Sequence, residues 1–103
     1  KLVDKVVVDN DIYNVEMGEL DGKPFYGAIM TDIASGKRVC YEVDETYKYF
    51  IAWNDRGRKH YYCVEPMTAM IDAPNLSLSP DVTGYREVKP GEEFTAHQRF
   101  FSN

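Results

Sequence analysis

Short stretches of β-branched and aromatic residues alternate with turn-forming residues along the chain, which is typical of a β-protein. The apolar stretches cover residues 2–8, 25–31, 37–43, 47–53, 60–65 and 94–101. Clusters of glycine, proline, asparagine and aspartate separate them at intervals of about 8–12 residues, the spacing of a sandwich or a barrel. No window of about 11 residues or more shows the 3.6-residue apolar period of a helix. The pattern therefore predicts an all-β fold.

Three consecutive predicted strands look like a meander closed by short turns: residues 25–31, 37–43 and 47–53. Within the third, alternation places Tyr49, Ile51 and Trp53 on one side. The strand predicted over residues 60–65 is followed by a long loop, in which Pro66 and Pro74 disfavour a helix. A loop of roughly 15 residues is long for a compact domain, and such loops are often functional.

Charge and composition narrow the possible partners. The chain has 17 acidic and 12 basic residues, a formal net charge of −5 and a pI of about 4.9, whereas nucleic-acid binding requires a positive surface. No apolar run approaches the roughly 20 residues of a membrane span, and no signal peptide is visible. We therefore expect neither nucleic acid nor a membrane as a partner.

The cysteines and histidines indicate neither a disulfide framework nor a metal site. Cys40 and Cys63 each lie in a predicted strand, and two cysteines are too few for a framework. We expect free thiols in a reducing compartment, and hence a cytoplasmic protein. The chain has no CxxC or HxxxH motif, and its only histidines are His60 and His97. We therefore expect these residues to bind no metal.

Two residues at predicted strand ends are candidates for chemistry. Glu65 precedes Pro66 directly, and a carboxylate that a rigid strand aims into a cleft is suited to be a general base. On local pattern alone, a solvated strand terminus is the simpler interpretation. Trp53, the only tryptophan, could stack on the apolar face of a sugar ring or act as a core or rim aromatic. Its polar neighbours Asn54 and Asp55 favour the edge of a cleft.

A polar cluster, Asp9-Asn10-Asp11-Ile12-Tyr13, follows the first predicted strand. Its composition predicts a turn. The alternative is that it offers a carboxylate to the hydroxyl groups of a ligand. It does not match a calcium-binding EF-hand loop.

Several short motifs together resemble the C-terminal signature of the aldose 1-epimerase (galactose mutarotase) family. They are Cys63-Val64-Glu65-Pro66, Asp72-Ala73 with Asn75, Lys89-Pro90-Gly91-Glu92, and the upstream stretches 34–39 and 49–53. No single motif is as specific as a P-loop, but their order and spacing together are fairly specific. The resemblance covers most of the chain and implies a large antiparallel β-sandwich.

The resemblance also implies an activity, the interconversion of the α and β anomers of free aldoses such as galactose or glucose. Glu65 matches the family's glutamate, which removes the proton from the anomeric hydroxyl. Asp11 is our choice for the family's sugar-binding aspartate, with Asp9 in reserve, and Trp53 is a candidate substrate contact. The reaction requires no cofactor, metal or nucleotide.

The chain departs from the family in length and in its histidines. Members are about three times longer, and neither His60 nor His97 matches the histidine that protonates the ring oxygen. We therefore expect residues 1–103 to form the C-terminal part of a single epimerase-like domain. We also expect a partner, either the N-terminal part of the same protein or a second copy, that covers the exposed strand edges. The alternative function is a carbohydrate-binding module or sensor that kept the fold without the chemistry.

Overall fold

The computed structural model describes residues 7–58 and 60–103, and the regular secondary structure within them is almost wholly β-strand. The strands are β1 (Asp9–Asn14), β2 (Met17–Leu20), β3 (Lys23–Thr31), β4 (Arg38–Val43), β5 (Tyr49–Trp53), β6 (Cys63–Met67) and β7 (Gln98–Ser102). Short 3₁₀ turns lie at Asp55–Gly57 and Ala73–Asn75, and α1 (Pro80–Thr83) is a single helical turn.

The strands form two antiparallel sheets. One has the order β1-β5-β6, with β5 in the centre, and the other has the order β2-β3-β4-β7. Side chains and backbone of the two sheets meet directly: the rings of Tyr41 and Phe50 pack edge to face with centroids 6.0 Å apart. The Tyr26 hydroxyl donates to the Tyr47 carbonyl oxygen at 2.8 Å. The predicted antiparallel β-sandwich is confirmed.

Strand β5 is the centre of the core. Tyr49, Phe50, Ile51 and Ala52 are all buried, so both faces of this strand are covered. Such a strand is a continuous apolar run, which is why it is clear in the sequence. The charged and polar residues lie on the flanking strands β1 and β6.

The beginning of the chain differs from the prediction. Residues 2–6 of the first predicted strand lie outside the described residues, and Val7 and Val8 are not in a strand. Strand β1 instead runs through the polar residues that predicted a turn, because they pair with β5 over its whole length. Strand β2 was not predicted at all, since Met17–Leu20 is short and mostly exposed.

The predicted meander is wrong at its second connection. Strands β3 and β4 are neighbours, but β4 pairs on its other side with β7, while β5 lies in the other sheet. The turn from β4 to β5 therefore crosses between the sheets. Asp44 holds this turn, because its carboxylate accepts hydrogen bonds from the Thr46 backbone and hydroxyl and from the His97 backbone.

A long segment, residues 68–97, connects β6 to β7 and contains the 3₁₀ turn Ala73–Asn75 and the helical turn α1. It is anchored close to the end of β6, where the Met70 N–H donates to the Thr83 carbonyl oxygen at 2.7 Å. Gly84 ends α1 with a φ of 74°. A Cβ at Gly84 would lie 2.3 Å from the Thr68 carbonyl oxygen, so only glycine allows this close approach.

Candidate functional site

The two faces of the three-stranded sheet follow from its register, because directly paired residues point to the same side. We call the front face the side that carries three rows of paired residues: Asp9–Trp53–Cys63, Ile12–Ile51–Glu65 and Asn14–Tyr49–Met67. The back face carries the intervening rows: Asp11–Ala52–Val64 and Tyr13–Phe50–Pro66. Phe50 contacts Tyr41 of the other sheet. The back face is therefore the side that packs against the four-stranded sheet, and the front face is the opposite side, on which the β5 residues Tyr49 and Ile51 are also buried.

Glu65 lies in the middle of β6 and not at its end. The predicted strand 60–65 is displaced, since β6 begins at Cys63 and continues through Pro66 to Met67. Proline is accommodated because, within the described residues, β6 is an edge strand that pairs on one side only. The Glu65 side chain is exposed on the front face, so its carboxylate is accessible to a ligand.

The thiol of Cys63 contacts the Glu65 carboxylate directly. Its Sγ donates a hydrogen bond to Glu65 Oε1 over 3.3 Å. The two residues are separated by one position in β6, so alternation places them side by side on the front face. This hydrogen bond, and to a smaller extent partial burial, raises the pKa of the Cys63 thiol. The thiol is therefore a protonated donor at neutral pH.

A pair of aromatic side chains lies at the Cys63 end of this face. Trp53 pairs with Cys63 across the sheet. The rings of Trp53 and Tyr61 are tilted by 49° with centroids 5.5 Å apart. Trp53 is half-buried and Tyr61 is 41% exposed, so the pair presents aromatic surface at the edge of the front face. A tryptophan in this setting can stack on an apolar ring face and donate from its indole N–H.

The register separates Asp11 from Glu65 and Trp53. A bulge between Asp9 and Asp11, where Asn10 has a φ of 61°, shifts the pairing by one residue. As a result Asp11 pairs with Ala52 on the back face, whereas Asp9 pairs with Trp53 on the front face. The reserve candidate Asp9 is thus the aspartate that shares a face with Glu65.

Arg56 holds the Asp9 carboxylate at the edge of this face. Its Nε donates to Asp9 Oδ2 over 2.9 Å, and both side chains remain substantially exposed, at 68% and 41%. Arg56 follows β5 in a turn that is ordered by Asn54, whose Oδ1 accepts hydrogen bonds from the backbone N–H groups of Val8 and Gly57. The Trp53 and Asp9 positions are therefore fixed by the same turn.

The segment after β6 covers the lower part of the front face, the end at Tyr49 and Met67, whereas Trp53 and Cys63 lie at its upper end. The Tyr49 hydroxyl donates to the Val82 carbonyl oxygen, and Lys48 Nζ donates to the Asp81 carbonyl oxygen over 2.7 Å. A shallow polar cavity of about 180 Å³ lies at this closed end, between Lys48, α1 and Arg86. Glu65 and Trp53 do not line it, so the candidate site lies apart from this cavity, toward the upper end of the face.

Neither histidine belongs to this face. His60 is exposed ahead of β6, and His97 lies beside Asp44, with Nδ1 3.2 Å from Oδ2. Within residues 7–58 and 60–103, no group of three or more histidine, cysteine or acidic side chains is arranged to hold a metal ion. In the same described ranges, no helix has the length and apolar character needed to cross a membrane.

The site thus combines a carboxylate with a thiol donor, an aromatic surface and a second carboxylate. Glu65 can accept a proton from a ligand hydroxyl, and Asp9 can accept hydrogen bonds from others. Trp53 lies between them on the central strand. This is the arrangement expected of a site for a polyhydroxylated ring with one apolar face.

Comparison with known proteins identifies the architecture. No protein-family profile matches the chain. The structure is similar to the crystal structure of a galactose mutarotase-like protein from Clostridium acetobutylicum, with a TM-score of 0.83 and 33% sequence identity. The match covers 94% of this chain, and the chain spans 29% of the length of that protein.

The fold and the face just described therefore define the chain as an antiparallel β-sandwich of the galactose mutarotase-like type. This likeness agrees with the resemblance to the galactose mutarotase family that the motifs around Glu65 indicated.

The sequence indicated part of this site. Alternation along residues 60–65 places Tyr61 and Cys63 on the same face as Glu65, although it assigned neither of them a role, and Asp9 was ranked below Asp11. The bulge at Asn10 has no comparable signal, because Asp9 and Asp11 would share a face in a regular strand.

Proposed function

We propose that the complete protein is an aldose 1-epimerase, which interconverts the α and β anomers of a free sugar, and that Glu65 is its general base. The observation that carries this proposal is the exposed Glu65 carboxylate on the same sheet face as Trp53 and Asp9, in a chain of mutarotase-like fold. Each residue has a separate task in the proposed reaction.

Mutarotation begins with removal of the proton from the anomeric hydroxyl. Glu65 accepts that proton, which promotes cleavage of the bond between the anomeric carbon and the ring oxygen. The ring oxygen must be protonated at the same time, the open-chain carbonyl carbon rotates, and ring closure gives the other anomer. No histidine lies in β1, β5 or β6. In our proposal the acid therefore comes from a part of the protein outside the described residues.

Trp53 and Asp9 bind the sugar in this proposal. The Trp53 ring stacks on the apolar face of the pyranose, and the Asp9 carboxylate accepts hydrogen bonds from its hydroxyls. Two strand spacings of about 4.8 Å separate β1 from β6, so Asp9 and Glu65 approach a ligand from opposite sides of Trp53. This arrangement orients the anomeric carbon toward Glu65.

The decisive experiment is the substitution Glu65→Gln in the complete protein, followed by polarimetry on freshly dissolved α-anomer. Loss of a general base lowers the rate by about 10²–10⁴-fold, whereas sugar binding is retained because the amide keeps the shape of the side chain. Glu16→Gln, an exposed glutamate between β1 and β2, is the matched control and keeps full activity. An unchanged relaxation rate in the Glu65 variant would refute the assignment.

A carbohydrate-binding module or sensor is the second candidate function. The tilted Trp53–Tyr61 pair and the Asp9 carboxylate favour it, since both serve binding and neither requires an acid. This function predicts a sugar-dependent change in Trp53 fluorescence in a protein that does not accelerate mutarotation. Acceleration of mutarotation would exclude it in favour of the epimerase.

We further propose that the rest of the protein or a second copy covers this chain's free strand edges. Large apolar residues on strands are exposed, with Ile12 at 41%, Met17 at 61% and Phe100 at 65%. Exposed apolar edges of this kind promote association. Light scattering on residues 1–103 alone is expected to show association or aggregation. A monodisperse monomer that unfolds cooperatively at micromolar concentration would contradict this.

A further inference from the structure

The contact between Cys63 and Glu65 indicates a role for the Cys63 thiol. Cys63 Sγ lies 3.3 Å from Glu65 Oε1. Cys63 is half-buried, and it pairs with Trp53 across the sheet. No other hydrogen bond to the Glu65 carboxylate is present within the described residues. An exposed glutamate with three side-chain torsions otherwise samples many rotamers.

We propose that Cys63 is a positioning residue for the general base: its thiol donates the hydrogen bond that keeps the Glu65 carboxylate directed at the bound sugar. This inference rests on the proposed function. Restricting the carboxylate to one orientation raises the fraction of encounters in which its free oxygen reaches the anomeric hydroxyl. One carboxylate oxygen accepts from the thiol, so the other is available for the proton.

The state of the thiol is consistent with this role. A thiol donates a hydrogen bond only while it is protonated, and the neighbouring Glu65 carboxylate raises the Cys63 pKa. Reactive cysteines have the opposite character, with thiolates stabilised by positive groups. Cys63 is therefore suited to be a donor to Glu65 and not to be a nucleophile.

The first test measures the pairing of the two groups without any enzyme assay. The rate of Cys63 alkylation by iodoacetamide is followed against pH by peptide mass spectrometry in the complete wild-type protein and in Glu65→Gln. The alkylation midpoint is expected to fall to lower pH in the variant, because the carboxylate no longer opposes thiolate formation. Buried Cys40 is the internal control. Equal midpoints in the two proteins would overturn the proposal.

The second test asks whether the pairing matters for the reaction. Cys63→Ala is expected to lower kcat by about 3- to 10-fold with little change in KM, and Cys63→Ser, whose hydroxyl donates the same hydrogen bond, to restore most of it. Val64→Ala, on the same strand but the back face, controls for weakening of β6. Full activity in Cys63→Ala, or no advantage of serine over alanine, would overturn the positioning role.

The two tests separate this inference from the function on which it rests. If the complete wild-type protein does not catalyse mutarotation, the epimerase proposal fails and the catalytic role of Cys63 fails with it. The alkylation profile still decides whether Cys63 and Glu65 are paired. If mutarotation is fast and depends on Glu65 but the serine variant gives no rescue, only the role of Cys63 is wrong.

Discussion

The front and back faces of the three-stranded sheet are made by the same strands and are both buried at β5, yet they differ in what their other residues contact. On the back face Phe50 and Ala52 are buried, and Phe50 packs against Tyr41 of the other sheet. On the upper front face Glu65 is exposed, and Trp53 and Cys63 are half-buried. Neighbouring positions along one strand therefore serve the packing of the sandwich and the candidate chemistry in alternation.

This difference predicts which substitutions affect folding stability and which affect sugar binding or activity. Because the side chains alternate, a change on the front face leaves the contacts of the back face in place. The turn after β5 serves both packing and the candidate site. Asn54 is buried there, and it also orders the turn that carries Arg56. The following predictions test the separation of the faces, in order of decreasing effect.

The largest effect on folding is expected from the back face. Phe50→Ala removes a buried ring that contacts Tyr41 and is expected to lower the free energy of unfolding by about 3–5 kcal/mol. Glu65→Gln, on the front face, is expected to change it by no more than about 0.5 kcal/mol. Urea unfolding of the complete protein measures both. A comparable loss of stability in the two variants would show that the faces are not separate.

The next effect distinguishes the two aspartates that flank the bulge. Asp9→Asn is expected to weaken sugar binding by about 10- to 100-fold, the effect of losing a charged hydrogen-bond acceptor. Asp11→Asn should change it less than about twofold, because Asp11 is on the back face. Isothermal titration with the sugar gives both affinities. Arg56→Gln controls for loss of the Arg56–Asp9 ion pair, and a stronger effect at Asp11 would reverse the assignment of faces.

The contrast between Asp9 and Asp11 also shows what the sequence could predict. The apolar alternation of residues 25–31, 37–43 and 47–53 identified β3, β4 and β5, because these strands have their own hydrophobic signal. Strand β1 has a polar sequence and exists through pairing with buried β5. Tertiary context overrides local propensity there, so a turn was the reasonable but incorrect expectation.

The pairing of strands was less predictable than their existence. Short turns predicted that β5 would follow β4 in one sheet, but the turn at Asp44 crosses to the other sheet. Its hydrogen bonds involve His97, which is 53 residues distant along the chain. Glu65 and Trp53 were both chosen from sequence, and the register places them on one face. The partner Cys63 required the actual distance between Sγ and the carboxylate.

A smaller effect is expected from the aromatic surface of the front face. Trp53→Ala should weaken sugar binding by about 2- to 12-fold, since an aromatic contact contributes about 0.5–1.5 kcal/mol. Tyr13→Ala, an aromatic residue of the back face, is the matched control for general loss of packing and should leave affinity unchanged. Titration with the sugar measures the two constants. Equal losses at both positions would mean that Trp53 acts through stability and not through contact.

The smallest effect is expected on the stability of the protein at low pH. It arises at Asp44, in the turn that crosses between the sheets. Hydrogen bonds from Thr46, and then from His97, lower the pKa of Asp44 to about 2. A carboxyl group with a lowered pKa stabilises the folded state at pH values above its unfolded pKa, about 3.9, and the stabilisation is lost as pH falls toward about 2. Stability is therefore expected to decline between about pH 4 and pH 2 more steeply in the wild type than in Asp44→Asn. Urea midpoints across this range measure the decline. Parallel curves for the two proteins would show that Asp44 does not stabilise the crossing.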